Sequence, residues 1–369
     1  KSGQKIKKAL EVNKVQILDP ATGTGTFLAE TIKFIKKDFW GGSWSSYVEE
    51  HLIPRLNGFE LLMASYAMAH LKLDLLLLET GYKPSKEQKR FNIFLTNSLE
   101  EHHEQSGNLF ASYLANESKE ADRVKKDVPV MVVMGNPPYA VSSSNKNEWI
   151  QNLIADYKKD LNERKINLDD DYIKFIRYGQ HYIEKNGEGI LAYISNNSFI
   201  DGITHRQMRK SLLECFDKIY ILDLHGNAKK KETAPDGSKD ENVFDIMQGV
   251  SINIFIKKKQ KSKKLAEVYQ YDLYGKRDFK YSFLDDNSLK TVKWEKLDYS
   301  EPNYFFVKKD FSEQKEYDKY FKVNELFLVQ GSGIKFRKDN LLVKNNFSKE
   351  DVITMINDMN ELSSKEVLS

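Results

Sequence analysis

The chain has 369 residues, 40% of them apolar, which excludes a disordered polypeptide and leaves material for a sizeable core and about two domains. Lys and Arg number 57 against 54 Asp and Glu, a net charge of +3 spread along the chain, so charge alone does not announce nucleic acid. A lone cysteine, Cys215, excludes an internal disulfide and a cysteine-built zinc site and fits a reducing compartment, with the cytoplasm as the expected location.

The longest apolar stretches, such as Leu75 to Leu78 and Val130 to Met134, fall far short of the ~20 residues that span a bilayer, so no membrane association is expected. The chain opens at Lys1 without a signal-peptide pattern and reads as a piece of a longer polypeptide.

Short apolar runs predict strands at Val15 to Leu18, Leu56 to Leu61, Phe91 to Thr96, Val130 to Met134, Gly189 to Ser195, Lys218 to Leu224 and Val250 to Lys257. Between them, apolar residues returning every three or four positions predict helices at Thr26 to Asp38, Leu62 to Thr80, Asp171 to Lys185 and His205 to Cys215. Most of the strand runs are unbroken Val, Ile, Leu and Phe, as expected when helices cover both faces. The expected fold is α/β, a Rossmann-like, doubly wound, seven-stranded, mostly parallel sheet.

Two stretches interrupt the rhythm. Ala140 to Asp170 is polar and lysine-rich and reads as an inserted excursion. Lys229 to Asn242 carries the turn signal Ala234-Pro235-Asp236-Gly237 and is expected to be an exposed, mobile loop. After Lys257 lysines accumulate and the rhythm stops, so the expected division is residues 1–265 for the first domain and 266–369 for a linker and the incomplete start of a second.

Asp19-Pro20-Ala21-Thr22-Gly23-Thr24-Gly25-Thr26-Phe27 lies between the first strand and the first helix, where open α/β sheets bind ligands. Gly23 and Gly25 permit close backbone approach. A phosphate loop would need a lysine followed by Ser or Thr, and a dinucleotide loop a third glycine where Phe27 stands. Asp19 suits a positively charged amino-acid tail better than phosphates, which favours S-adenosylmethionine over a plain βα turn.

The second strand ends at Glu60 and Leu61, and Glu60 is a candidate acceptor for a ribose diol. It lies further from Asp19 than the roughly 20 residues of a dinucleotide fold, an excess that an insertion around Gly41-Gly42-Ser43-Trp44 accounts for. The third strand ends Thr96-Asn97-Ser98, and Asn97 is placed to bond the cofactor adenine.

After Gly135 comes Asn136-Pro137-Pro138-Tyr139. Two prolines lock the backbone and remove two donors, so the carbonyls of Asn136 and Pro137 and the Asn136 side-chain oxygen offer acceptors for a planar amine. Tyr139 supplies a ring to stack on a base.

This pair of motifs resembles the adenine-N6 DNA methyltransferases, in which the cofactor motif precedes Asn-Pro-Pro-Tyr. The stretches 58–63, 168–177, 223–227 and 242–246 are similar to the methyltransferase region of the type ISP single-chain restriction-modification enzymes, and Gly331-Ser332-Gly333-Ile334 resembles the beginning of their target-recognition segment. The resemblance implies that Asp19, Pro20, Ala21, Thr22, Gly23, Gly25, Phe27, Glu60, Leu61, Asn97, Ser98 and Asn136 surround S-adenosylmethionine. It implies that Asn136, Pro137, Pro138 and Tyr139 hold a flipped adenine of double-stranded DNA. Phe244 is the candidate for the other face of that base, although a phenylalanine before a strand also reads as core. Nuclease and helicase-like domains are implied elsewhere in the full chain, in a bacterial cytoplasm. Lys1 to Lys14 shows no recognisable counterpart of the family's amino-terminal cofactor-binding segment.

The expected reaction is site-specific methylation of adenine N6, with no metal required. Methylation of RNA or of a protein glutamine amide is the enzyme alternative, and a non-catalytic module binding DNA and cofactor within a restriction complex is the other. Elsewhere the readings are structural: His102-His103 as a solvated loop, Asp169-Asp170-Asp171 as an acidic helix start, and Met63, Met68 and Cys215 as packing residues. The run from Lys257 to Lys264 reads equally as a phosphate contact or a solvated strand end.

Overall fold

The computed structural model describes residues 5–7, 11–86, 89–101, 109–139, 143–161, 163, 168–260 and 264–321, with 325, 348–350, 353–354 and 357 beyond them. A short hairpin, Lys5–Lys7 against Glu11–Asn13, precedes the main sheet. The sheet is built from β1 (Gln16–Asp19), β2 (Leu56–Glu60), β3 (Asn92–Leu95), β4 (Val130–Gly135), β5 (Gly189–Asn196), β6 (Lys218–Asp223), β7 (Val250–Lys257), β8 (Glu267–Asp272) and β9 (Glu295–Leu297). Their spatial order is β9-β8-β6-β7-β5-β4-β1-β2-β3. Pairing is parallel except where β7 lies antiparallel between β5 and β6, and where β9 closes antiparallel on β8.

Helices cover both faces because neighbouring residues on each strand point to opposite sides. Ile17, Leu56 and Ile93 pack under α1 (Thr26–Lys37) and α2 (Met63–Glu79), with Trp44 of the glycine-containing insertion in the same core. Leu18, Val133, Leu191 and Phe255 belong to the opposite core. That core is covered by α3 (Leu109–Asp127), α4 (Glu148–Lys158), α5 (Asp171–Asn186) and α6 (Arg206–Cys215). Cys215 is buried there, and Asp170 caps α5 by accepting the Tyr172 N–H.

Among the described residues the sheet therefore has nine strands rather than seven. The boundary expected at residue 265 falls inside it, because β8 pairs with β6 along its whole length, from Glu267 with Lys218 to Asp272 with Asp223. The returning chain is held as well. The buried Arg209 guanidinium donates to the carbonyls of Asn303, Tyr304, Phe199 and Gly202, and Tyr304 and Phe306 enter the core. The chain divides into compact units at 1–309 and 310–369. Gln314–Tyr317 forms a short helix in the second unit, while Gly331 to Ile334 and His102-His103 lie outside the described residues.

Met63 and Met68 are not packed inside. They are 52% and 51% exposed, on a face of α2 shared with Leu71, Leu75 and Leu78. The helix is apolar all round, so periodicity could not choose its inner face, which is Tyr66, Ala69, Leu73 and Leu77. The loop 229–242 is exposed only over Lys229–Lys231, Thr233 and Pro235–Lys239. Its end is clamped rather than loose: the buried Asp240 accepts the N–H groups of Gly226 and Gly275 and pairs with the fully buried Lys280 at 2.8 Å. No described helix is long and apolar enough to cross a membrane.

Candidate active site

The carboxyl ends of β1, β2, β3 and β4 converge on the glycine loop. Gly23 and Gly25 both adopt positive φ, 55° and 79°, where a side chain is strained. The Thr22 hydroxyl donates within the buried turn, between the carbonyls of Asp19 (2.9 Å) and Phe59 (3.1 Å), so β1 and β2 are tied at their ends. Pro20 is buried and Ala21 and Phe27 are half-buried.

Asp19 is fully buried. Its Oδ1 accepts the Ala21 N–H at 3.1 Å, while Oδ2 has no partner. Burial pushes its carboxyl up to about 7, an effect that the Ala21 bond opposes and the Glu60 charge reinforces. The Tyr193 hydroxyl on β5 is also buried and unpartnered, and burial, with the Asp19 charge adding to it, raises its pKa. An orphaned carboxylate oxygen at the start of a glycine-rich turn fits a cationic ligand, the amino-acid end of S-adenosylmethionine among them.

Glu60 links two loops. One oxygen accepts the Gly23 N–H at 2.8 Å, and the other accepts the N–H groups of Leu61 (3.0 Å) and Leu62 (2.8 Å). Leu61 is 64% exposed beside it. The buried Ser98 hydroxyl donates to the Pro20 carbonyl. The Asn97 amide does not stand open. Its NH2 donates to Glu100 and Asn145, and its oxygen accepts the Leu99 N–H.

The turn after β4 exposes Asn136 and Pro138, buries Pro137, and half-buries Tyr139, whose hydroxyl donates to Asn136 Oδ1 at 3.0 Å. Burial raises the Tyr139 pKa further above its ordinary value, with the Asp170 charge adding to it. Tyr139 and Phe244 both pack at the edge of one apolar cluster, formed by Leu222, Leu224, Val243, Val250 and Leu273. Phe244 is set there by Asn242, which accepts its N–H at 2.8 Å and donates to the carbonyls of Gly226 and Gln248.

Three features escaped the sequence reading. Gly135 abuts Asp19 across neighbouring strands. Asn145, Ser143 and Lys174 join the excursion after Tyr139 to α5. His225, at φ 51°, stacks on Tyr274 at 3.8 Å and is gripped by Glu232 (2.9 Å) and Asp272 (2.8 Å). Burial opposes its charge, but the two carboxylate hydrogen bonds win and raise its pKa to about 10. Asp223 joins the same group, one oxygen of each aspartate lying within 4.8 Å of an imidazole nitrogen, and both imidazole nitrogens are engaged by carboxylates. A Gly at 226 and an acid at 232 were visible as signals, but not the strand 47 residues later that supplies Asp272.

Strand order and the loops at the carboxyl edge together define a mixed α/β fold with a large, mostly parallel sheet. Residues 57–229 match the Eco57I restriction-modification methylase family. Among solved structures, a nuclease-deletion mutant of the type ISP restriction-modification enzyme LlaGI, in complex with a DNA substrate mimic, is 25% identical with a TM-score of 0.69. The alignment covers 82% of this chain and 25% of that one. The ATP-dependent type ISP enzyme LlaBIII bound to DNA is 27% identical, with a TM-score of 0.66 over 81% of this chain and 21% of that one. DrdV in complex with DNA is 29% identical, with a TM-score of 0.64 over 79% and 28%. The chain thus spans about a quarter of the length of these enzymes. No curated protein sequence matches it.

Proposed function

We propose that this chain is the catalytic part of a site-specific DNA adenine-N6 methyltransferase acting within a restriction-modification enzyme. The observation that carries the reading is the abutment of the two motifs: the carboxylate of Asp19, in the glycine loop, lies against Gly135, the residue before Asn136. Cofactor and target amine would then meet at one point of the sheet edge. The DNA complexes of LlaGI, LlaBIII and DrdV support DNA as the partner, with nuclease and helicase-like domains elsewhere in the same full-length chain. Residues from 310 onward are assigned to the start of a target-recognition domain.

S-adenosylmethionine, when bound, supplies an electrophilic methyl group. Asp19 would face its ammonium, Glu60 its ribose hydroxyls, and Asn97 its adenine, with Thr22, Gly23, Gly25 and Leu61 lining the approach. Asn136 Oδ1 and the carbonyls of the proline turn accept hydrogen bonds from the target amine. Holding both of its hydrogens withdraws the nitrogen lone pair from the ring and directs it outward. Tyr139 must release Asn136 Oδ1 to the amine, and its ring then stacks on a base rotated out of the duplex. No strong base is required, because the nitrogen can lose its proton after transfer.

Asn136→Ala in the full-length protein tests this. Transfer of radiolabelled methyl groups to adenine should disappear while affinity for DNA, measured by gel shift, changes by no more than a few fold, since phosphate contacts dominate binding. Undiminished transfer would overturn the mechanism. Transfer by the wild type only to RNA or to a protein amide would select those substrates instead.

A further inference from the structure

Between the strand end that carries Asn97 and the segment that follows Tyr139 runs a continuous chain of hydrogen bonds. Asn97 Nδ2 donates to Asn145 Oδ1 at 2.8 Å. Asn145 in turn donates its own amide hydrogen to Asp171 Oδ1 at 3.0 Å and its backbone N–H to Ser143 Oγ at 3.0 Å. Lys174 closes the group: fully buried, it donates to Ser143 Oγ (2.8 Å) and the Asn145 carbonyl (2.6 Å) and pairs with Asp169 (2.8 Å). Those contacts use all three ammonium hydrogens, and Ser143 and Asp171 are themselves buried. Residues 143–147 thus have one anchor on α5 and one on the cofactor side of the sheet.

We propose that Asn145 is a positioning residue that transmits occupancy of the cofactor pocket at Asn97 to the segment following the Asn136–Tyr139 turn. The proposal rests on the assignment of Asn97 to the cofactor adenine. Asn97 Oδ1 accepts the Leu99 N–H and keeps a second lone pair. It can therefore take a hydrogen from an adenine amine without breaking its existing bonds. Accepting that hydrogen polarises the amide, and a polarised amide donates more strongly through its NH2 group. The bond to Asn145 tightens, and with it the hold on residues 143–147. Linkage makes the effect reciprocal, so ordering of this segment by a captured base strengthens cofactor binding.

Hydrogen exchange on the full chain, with and without S-adenosylhomocysteine, reads the transmission without any turnover, and calorimetry on the same samples reads binding itself. In the wild type the backbone amides of Ser143 to Asn147 should slow by about fivefold or more on adding the ligand. In Asn145→Ala they should stay within about twofold of the unliganded rate although the ligand still binds. Asn145 is half-buried, so this variant should keep the wild-type protection of strands β1 to β5. Asn145→Asp is the second break: it retains the acceptor for Asn97 but sets a carboxylate against Asp171, and the response should vanish there too. Ligand binding with no slowing in the wild type, or with the wild-type slowing retained in both variants, overturns the relay alone. Absence of calorimetric binding in the wild type overturns the cofactor assignment, and the relay with it.

Discussion

A Cβ placed on Gly135 would lie 2.6 Å from Asp19 Oδ1 and 3.3 Å from its Cγ. Only glycine lets the strand leading to the Asn136 turn run alongside the carboxylate at the head of the glycine loop.

Gly135→Ala should therefore destabilise the protein by about 1–3 kcal/mol, the usual effect of overfilling a packed site. Urea unfolding measures it. Combined with Asp19→Ala, the loss should be smaller than the sum of the two single losses, since the truncation removes the obstacle. Strict additivity would mean the strand shifts away from Asp19 instead.

The Asp19 carboxyl, at about 7 in the fold against an ordinary value of 3.8, sets a pH dependence. Between those values the folded state holds a proton that the unfolded state has lost. Its contribution to stability therefore falls as pH rises through this window, and the full burial penalty is present above it. Asp19→Asn should gain stability relative to the wild type from about pH 4 to 7 and stay level beyond. Ligand affinity should move the opposite way in the wild type, because an ammonium needs the ionised form. S-adenosylhomocysteine should bind more tightly at about pH 8 than at about pH 6, with a flat profile in Asp19→Asn.

Tyr139 and Phe244 share one apolar cluster and should sandwich the extruded base, each ring contributing on the order of 1–3 kcal/mol. With 2-aminopurine at the target position of DNA bound by the full-length enzyme, Tyr139→Ala and Phe244→Ala should each raise the fluorescence. The tyrosine change should reduce turnover more, since its hydroxyl also touches Asn136. If Phe244→Ala alters neither signal, its ring is core and another aromatic covers the second face.

Lys280→Met leaves the fully buried Asp240 charge without its partner and should cost on the order of 3–5 kcal/mol by guanidinium unfolding. Adding Asp240→Asn should recover part of that loss. A single-variant loss below about 1 kcal/mol would show that the pair is not what clamps the loop ahead of Phe244.

All seven strands expected from apolar runs are present, because strands covered on both faces by helices are rich in apolar residues. Glu267 to Asp272 escaped because its sequence, Glu-Val-Tyr-Gln-Tyr-Asp, alternates and follows a lysine-rich run, as an outer strand does. The glycine loop and the proline turn were legible because their chemistry is local: a positive φ or a missing donor is written into one residue type. Asn145 was not, since its partners, Asn97 and Asp171, lie 48 and 26 residues away and any polar residue in that excursion looked alike. Asn97 itself was legible as a strand-end amide, but its engagement by Glu100 and Asn145 was not.

β8 also protects its neighbour. Without it, Lys218 to Asp223 would present a bare row of N–H and C=O groups, a template for pairing with other molecules. Arg209 would lose the Asn303 and Tyr304 carbonyls at the same stroke and keep a buried charge with fewer acceptors. Precipitation of a shortened polypeptide ending at residue 265 would thus report a missing selvedge, not a faulty core.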